Sequence, residues 1–250
     1  MRPSTFQQYL ILLRKDLRQE FRTREMLTSM GIYAFANTGL VNVTLPDQIS
    51  KLDYCAFREC LQLQSINIPT SLTAVPYDFV AGCPKLTSVK MHNGIRTIGH
   101  IAFENCTSLA TIDLNDQITD IEYRAFKGCS ALQLTKLPSA LTHIGSEAFR
   151  GTASITGTLT IPDDVTAIDK DAFWGCGLSA VIIPEGTTAI GEGAFRETPN
   201  LARVVLPSKL ETIKFYTFYK ATALRGITLP DSLRRIEYNA FDLSALESIE

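Results

Sequence analysis

The side chains that could do covalent or metal chemistry are three histidines and six cysteines. His92, His100 and His143 fall in different segments and at different positions within them, so they imply no Ser/His/Asp or Cys/His catalytic set. No Cys-x-x-Cys pair and no nearby pair of histidines offers the clustered ligands that a metal needs. No glycine-rich phosphate loop is present either. The sequence therefore predicts no catalytic residue, no bound metal and no cofactor, and it indicates that the chain is not an enzyme.

The spacing of phenylalanine indicates which elements position these residues. Ten phenylalanines recur at intervals of 22 to 24 residues: Phe35, Phe57, Phe79, Phe103, Phe126, Phe149, Phe173, Phe195, Phe218 and Phe241. Self-similarity at this period is typical of a solenoid, in which each unit buries its apolar face against its neighbours. Two 24-residue steps predict an extra residue near Ala81 and another between Gly151 and Gly157.

Each unit contains one segment with the pattern of a strand. In the segment 63–69, Ile66 and Ile68 alternate with polar residues, which is the period-2 pattern of a strand with one buried face. A proline follows at position 69, and proline ends a strand because it has no N–H to donate to a ladder. A second apolar pair, such as Ile118 and Ile121, and a turn carrying Ala-Phe complete the unit.

The cysteines follow the same period. Cys60, Cys83, Cys106, Cys129 and Cys176 share one position of the unit, where other units carry Thr, Ala or Ser. A position that accepts these residue types requires a small, buried side chain, so we expect a column of free thiols. Cys55 lies at a variable position, and we expect it to be exposed and reactive.

The unit resembles the BspA-like (Treponema-type) leucine-rich repeats, whose pattern is LxxIxIPxxVxxIGxxAFxxC. The segments 98–103, 144–149 and 190–195 read IGHIAF, IGSEAF and IGEGAF, and the resemblance covers about residues 27 to 250. It implies an α/β repeat solenoid that is rich in β-structure: a right-handed superhelix of about ten repeats with one parallel sheet face. We expect this domain to span residues 30–250, with a length of roughly 50 Å at about 4.8 Å per coil.

Residues 1–29 do not follow the repeat. Apolar residues from Phe6 to Phe21 step by three or four positions, which is the pattern of an amphipathic helix. A solenoid needs capped ends, so we expect a helix packed over the first repeat. A helix lying on a membrane surface is the alternative, because residues 1 to 26 carry six basic and three acidic side chains.

Composition and charge narrow the possible partners. The net charge is -2 and the pI is near 6.0, so the chain lacks the excess of positive charge that is typical of nucleic-acid-binding proteins. No apolar run approaches the ~18 residues of a transmembrane segment. The apolar run 9–13 is too short and too charged at its end for a secretory signal, which favours a cytoplasmic location. The family resemblance implies the cell surface instead.

Two columns of side chains should face outwards from the predicted sheet. The first comprises Asn42, Ser65, Ser88, Thr111, Leu134, Thr158, Ala180, Arg203, Gly226 and Ser248; the second comprises Thr44, Asn67, Lys90, Asp113, Lys136, Thr160, Ile182, Val205, Thr228 and Glu250. Ala180, Ile182 and Val205 form an apolar island with Arg203 at its edge, which makes these four residues the candidate partner-binding site. The open alternatives are a solvated sheet rich in β-formers and a row of tyrosines on the convex side.

These observations predict a non-enzymatic protein-binding scaffold, and the resemblance implies an adhesion-type cell-surface protein with a protein or cell-surface glycan partner. A cytoplasmic adaptor or structural repeat protein is the alternative. The sequence stops inside a strand at residues 246–250, so we expect either further repeats or self-association through the open C-terminal coil.

Overall fold

The computed structural model describes residues 28–249, which stack as successive coils joined by parallel strands. The predicted helix over residues 1–29 lies outside the described residues except for its last two. Those two residues belong to the first coil, since Ser29 opens strand β1. The described part of the chain contains no helix, so it gives the capping helix no support and holds no helix that could cross a membrane.

Two sets of strands follow one another along the coils. The side strands are β1 (Ser29–Met30), β2 (Lys51–Leu52), β4 (Ala74–Val75), β6 (Thr97–Ile98), β7 (Asp120–Ile121), β8 (His143–Ile144), β10 (Ala167–Ile168), β12 (Ala189–Ile190), β14 (Thr212–Ile213) and β16 (Arg235–Ile236). The front strands are β3 (Ser65–Asn67), β5 (Ser88–Lys90), β9 (Thr156–Thr160), β11 (Gly177–Ile182), β13 (Arg203–Val205), β15 (Gly226–Ile227) and β17 (Ser248–Ile249). All pairs are parallel, and every pair joins a strand to its copy in a neighbouring coil.

The side strands form a second ladder, and this corrects the prediction of a single sheet face. The front strands coincide with the predicted period-2 segments. The side strands arise from the second apolar pair of each unit, whose second member, such as Ile98 or Ile121, is fully buried. Six side strands from β4 to β12 pair without a break. Two successive residues per coil are enough to form this ladder because the coils are held in register elsewhere.

The front ladder is interrupted where the side ladder is continuous. Among the described residues, 111–113 and 134–136 form no strand. The prediction that Leu134 faces outwards is wrong: Leu134 is buried, and Thr135, at the core position of the pattern, is exposed. The side chain of Leu134 occupies the core in place of the polar Thr135. The inward and outward directions of these two residues are therefore reversed in this coil.

Backbone hydrogen bonds continue from coil to coil along the turns. The amide of Phe126 donates to the carbonyl oxygen of Ala148 at 2.8 Å, and that of Phe149 donates to Ala172 at 2.8 Å. Each turn also contains left-handed residues, such as Arg124 at a φ of 56° and Gly128 at 72°. The two left-handed residues reverse the chain direction within the unit, and glycine adopts that conformation without strain.

The phenylalanines form the centre of the core. Those from Phe103 to Phe241 stack face to face, with ring centroids 5.2 to 5.8 Å apart and rings within 18° of parallel. Phe149 and its neighbours in the stack are fully buried, whereas Phe35 and Phe241 near the ends are only partly buried. A terminal coil has a neighbour on one side only, so its phenylalanine cannot be enclosed.

Phe79 departs from this column and corrects the predicted insertion near Ala81. The amide of Phe57 donates to the carbonyl of Phe79, and that of Val80 donates to the carbonyl of Ala102. Phe79 therefore takes the alanine position, and Val80 takes the phenylalanine position. The Phe57 and Phe79 rings meet edge to face, at 84°. The 24-residue step is a shift of the aromatic side chain by one position, and Cys60, Cys83 and Cys106 keep a constant spacing.

The second 24-residue step coincides with a real irregularity of the ladder. The register between β9 and β11 shifts between Leu178 and Ala180. Beyond the shift, Ala180 lies opposite Thr158, and Ile182 lies opposite Thr160. The register between β11 and β13, at the candidate binding face, is regular.

Candidate binding face

The four residues of the predicted site lie together on the front ladder. Ala180 on β11 pairs with Arg203 on β13, and Ile182 pairs with Val205. Between them, Val181 and Val204 point into the core and are buried. Ala180, Ile182 and Val205 are half-buried, and Arg203 is exposed. The alternation therefore places the four side chains on one face, where the apolar ones are accessible only in part.

Polar residues and a glycine border this patch. Thr158 and Thr160 on β9 are exposed on one side. Gly226 and Thr228 are exposed on the other side. A shallow groove of about 480 Å³ runs between Arg203 and Val205 on one wall and Gly226 to Pro230 on the other. Because Gly226, the neighbour of Arg203 in its column, has no side chain, the groove stays open beside Arg203.

A second front groove, of about 500 Å³, lies in the amino-terminal coils. Asn67 lines it, and the side-chain amide of Asn67 donates to the carbonyl of Leu45 at 2.8 Å and accepts from the Leu45 amide at 2.6 Å. His92 accepts from the Gly94 amide through Nδ1 at 3.1 Å, so Nε2 carries the proton and donates to the Pro69 carbonyl at 3.1 Å. The histidine is thus a turn residue that links two coils.

Aromatic rings form a row outside the core. Tyr54 and Tyr77 meet at 6.0 Å, His100 follows Tyr77 at 6.2 Å, and Tyr123 follows His100 at 6.4 Å. Tyr54 and Tyr77 are exposed and Tyr123 is half-buried. The rings cover neighbouring coils, as predicted for tyrosines before the core phenylalanine, and they leave an accessible aromatic surface.

Trp174 packs within the protein surface. The guanidinium of Arg150 lies 3.5 Å from the centre of the indole, and that of Arg196 lies 4.3 Å from it. The indole N–H donates to Glu197 at 3.2 Å. These contacts occupy both the ring and its polar group, which agrees with a packing role.

Glu147 joins three basic side chains, Arg124 and Lys127 of the preceding turn and Arg150 of its own turn. Its carboxylate accepts from Arg124 at 2.9 Å and from Arg150 at 2.9 Å, and it lies 3.0 Å from the Lys127 ammonium. Burial opposes the charged form, but the three cationic groups outweigh it and lower the pKa of Glu147 to about 2. This cluster fixes the turns of adjacent coils to one another.

All six cysteines are buried and free. In the shared position, the Cys129 thiol donates to the carbonyl of Phe103 at 3.0 Å, and burial raises the pKa of Cys106 and of Cys176 to about 12. The prediction that Cys55 is exposed is wrong: it is 2% exposed, and its thiol donates to the buried carboxylate of Asp78 at 3.1 Å. Burial and this carboxylate raise the pKa of Cys55, so the thiol is neither accessible nor ionised.

One cluster of titratable residues escaped the sequence analysis, which predicted no metal ligands. Asp120, Glu122 and His143 each bring one donor atom to within 4.8 Å of the others on the side ladder. A signal existed: Asp120 and His143 are one repeat period apart, and Glu122 follows Asp120 by two residues on the same side. Separation along the sequence hid this proximity, because residues in equivalent positions of adjacent coils are neighbours in space.

The fold and repeat resemble those of known proteins. Residues 28–156 and 155–250 match the model of the BspA type leucine-rich repeat region, in six copies. A leucine-rich repeat protein of Bacteroides ovatus is 20% identical, with a TM-score of 0.58 over 86% of this chain and 80% of that one. A leucine-rich cell surface protein of Faecalibacterium prausnitzii is 22% identical, with a TM-score of 0.52 over 89% and 76% of the two chains.

A third solved structure, the leucine-rich repeat protein of T. pallidum, is 28% identical, with a TM-score of 0.54 over 64% of this chain and 78% of that one. No curated protein matches the chain significantly. The family model covers nearly all of the described residues, and the stacked parallel coils agree with it. The chain therefore belongs to the BspA type leucine-rich repeat family.

Proposed function

We propose that this chain is a non-enzymatic scaffold that binds a protein partner through the front face formed by Ala180, Ile182, Arg203 and Val205. The observation that carries the proposal is the pairing of Ile182 with Val205 on the solvent side of a ladder whose neighbouring positions are polar. Apolar side chains that do not fill the core, bordered by an arginine and by threonines, have the composition that binding centres favour.

The adjoining groove extends this surface. It offers about 480 Å³ beside Val205, lined by the exposed Arg203 on one wall and by Gly226 and Thr228 on the other. A partner side chain that enters the groove would contact apolar walls and reach the guanidinium. The groove at Asn67 lies in other coils and does not adjoin the apolar pair of Ile182 and Val205, which favours the face at β11 and β13.

We place this activity at the cell surface, by analogy with the leucine-rich cell surface protein of Faecalibacterium prausnitzii. A cytoplasmic adaptor is the alternative. Localisation of the intact, tagged protein in its own cell separates them: surface labelling supports the first, and retention in the cytosol supports the second.

The row of Tyr54, Tyr77, His100 and Tyr123 supports a second candidate function, the binding of a cell-surface glycan. Contiguous aromatic rings with two exposed tyrosines provide apolar surface with polar edges. Replacement of Tyr54 and Tyr77 by alanine should abolish glycan binding on an array and leave protein binding unchanged if both proposals hold.

The front face is tested with a pair of double variants. Ile182→Ser with Val205→Ser removes the apolar pair, and Ser65→Thr with Ser88→Thr, on the distant front strands β3 and β5, is the control. A partner recovered with the wild-type protein should be retained by the control. It should bind the first variant with a loss of at least about 1 kcal/mol, roughly a fivefold rise in Kd. Equal affinity for both double variants would move the site away from this face.

A further inference from the structure

A mixed histidine and carboxylate cluster lies on the side ladder, away from the front face. Asp120 on β7 pairs directly with His143 on β8, and Glu122 follows β7 on the same side as Asp120. One donor atom of each residue lies within 4.8 Å of the other two, and all three side chains are half-buried. The cluster thus combines an imidazole with two carboxylates from adjacent coils.

Two further groups extend the cluster into the coils on either side. Nε2 of His100 lies 3.2 Å from a carboxylate oxygen of Glu122. Nε2 of His143 lies 3.5 Å from a carboxylate oxygen of Asp169. Two of the three histidines of the chain therefore converge on one surface with three carboxylates, and these five residues belong to four successive coils.

The positions around these carboxylates lack competing side chains. Gly99 and Gly145 occupy the position of Glu122 in the two adjacent coils, and Gly145 and Gly191 flank Asp169 in the same way. A Cβ atom on Gly145 would approach the backbone of Glu122 to 2.7 Å. Because glycine alternates with the acidic residues, no side chain stands between Glu122 and Asp169 beside His143.

We propose that Asp120, Glu122 and His143 bind a divalent transition-metal ion, for which Zn²⁺ is the best match. Imidazole nitrogen with carboxylate oxygen suits Zn²⁺, whereas Ca²⁺ and Mg²⁺ prefer oxygen ligands alone. Ligands at about 2.1 Å from an ion are at most about 4.2 Å apart, so rotation of these half-exposed side chains brings their donor atoms into range. His100 and Asp169 are close enough to serve as a fourth ligand or as outer partners that orient Glu122 and His143.

Binding would join neighbouring coils. The ligands belong to successive units, so an ion held by all three resists their separation and stabilises the folded state by mass action. The site lies on the side ladder and not on the front face, so it does not depend on the proposed partner-binding function.

The test is calorimetric titration of the purified, untagged protein with zinc chloride, alongside thermal unfolding with and without the metal. We expect one ion per chain and a rise in melting temperature. His143→Ala and Glu122→Gln should each weaken zinc binding at least about tenfold. His92→Ala is the matched control, because His92 is bonded within a front turn, and it should bind zinc as the wild type does.

Calcium and magnesium chloride serve as the second control. Each ion should bind at least about tenfold more weakly than zinc, because calcium and magnesium prefer oxygen ligands and the imidazole nitrogen of His143 adds little to their affinity. Absence of saturable zinc binding at millimolar metal, or an unchanged affinity in folded His143→Ala, would overturn the proposal. Equal binding of calcium would show an acidic patch without a histidine-dependent site, and would overturn it too.

Discussion

The turn side and the front side of this solenoid pass through the same coils but differ in regularity. Along the turns, backbone hydrogen bonds link every pair of neighbouring coils from Phe35 to Ala240. The phenylalanine rings beneath them stack from Phe103 to Phe241. Along the front, pairing stops at residues 111–113 and 134–136 within the described part of the chain.

This difference indicates that the turns hold the coils in register and that the front face is free to vary. At the turns, one buried position accepts Cys or Thr because both are small and donate to a phenylalanine carbonyl, as Cys129 and Thr198 do. At the front, even the reversal of Leu134 and Thr135 is accommodated without loss of the stack. A surface whose residues are not needed to maintain the fold can acquire a binding function.

The largest expected effect comes from the centre of the turn side. Phe149→Ala should lower the free energy of unfolding by about 3–5 kcal/mol, because it leaves a cavity between two stacked rings in a fully buried column. Denaturant unfolding measures the change. Phe35→Ala, in a terminal coil and only partly buried, is the control and should cost roughly 1–2 kcal/mol. Equal losses would contradict the dependence on neighbours on both sides.

A smaller effect is expected from the charge cluster of the turns. Since the pKa of Glu147 falls from 4.5 to about 2 on folding, its ionised form stabilises the protein above pH 4.5. This contribution, at most about 3 kcal/mol, should be lost as the pH falls from 4.5 towards 2. Glu147→Gln should destabilise the protein at pH 7 and match the wild type near pH 2 in denaturant unfolding. A difference that persists at low pH would indicate a packing effect and not a charge effect.

The smallest effect concerns the interrupted front ladder. Exchanging the two residues, as Leu134→Thr with Thr135→Leu, restores the regular alternation, and it should change the free energy of unfolding by less than about 1 kcal/mol. The informative measurement is hydrogen exchange: amides of residues 111–113 and 134–136 should exchange more slowly once they pair. Unchanged exchange would show that side-chain direction at Leu134 does not cause the interruption.

Much of the fold follows from spacing in the sequence. The period of phenylalanine indicates stacked coils, and the alternation at 180–183 gives the correct inward and outward directions for Val181 and Ile182. The column of small buried residues is confirmed in the same way. The prediction fails at Cys55 because a variable position in the pattern does not reveal the buried carboxylate of Asp78, which comes from the next coil.

The sequence by itself determined the periodic core, because each unit repeats the same apolar positions and can bury them only against its neighbours. The tertiary structure decided what happens between equivalent positions of adjacent coils, which are about 23 residues apart along the chain. It formed the side ladder, moved Phe79 into an alanine position and brought Asp120, Glu122 and His143 together. These outcomes depend on distances of a few ångströms between neighbouring coils, and the order of residues along the chain does not contain those distances.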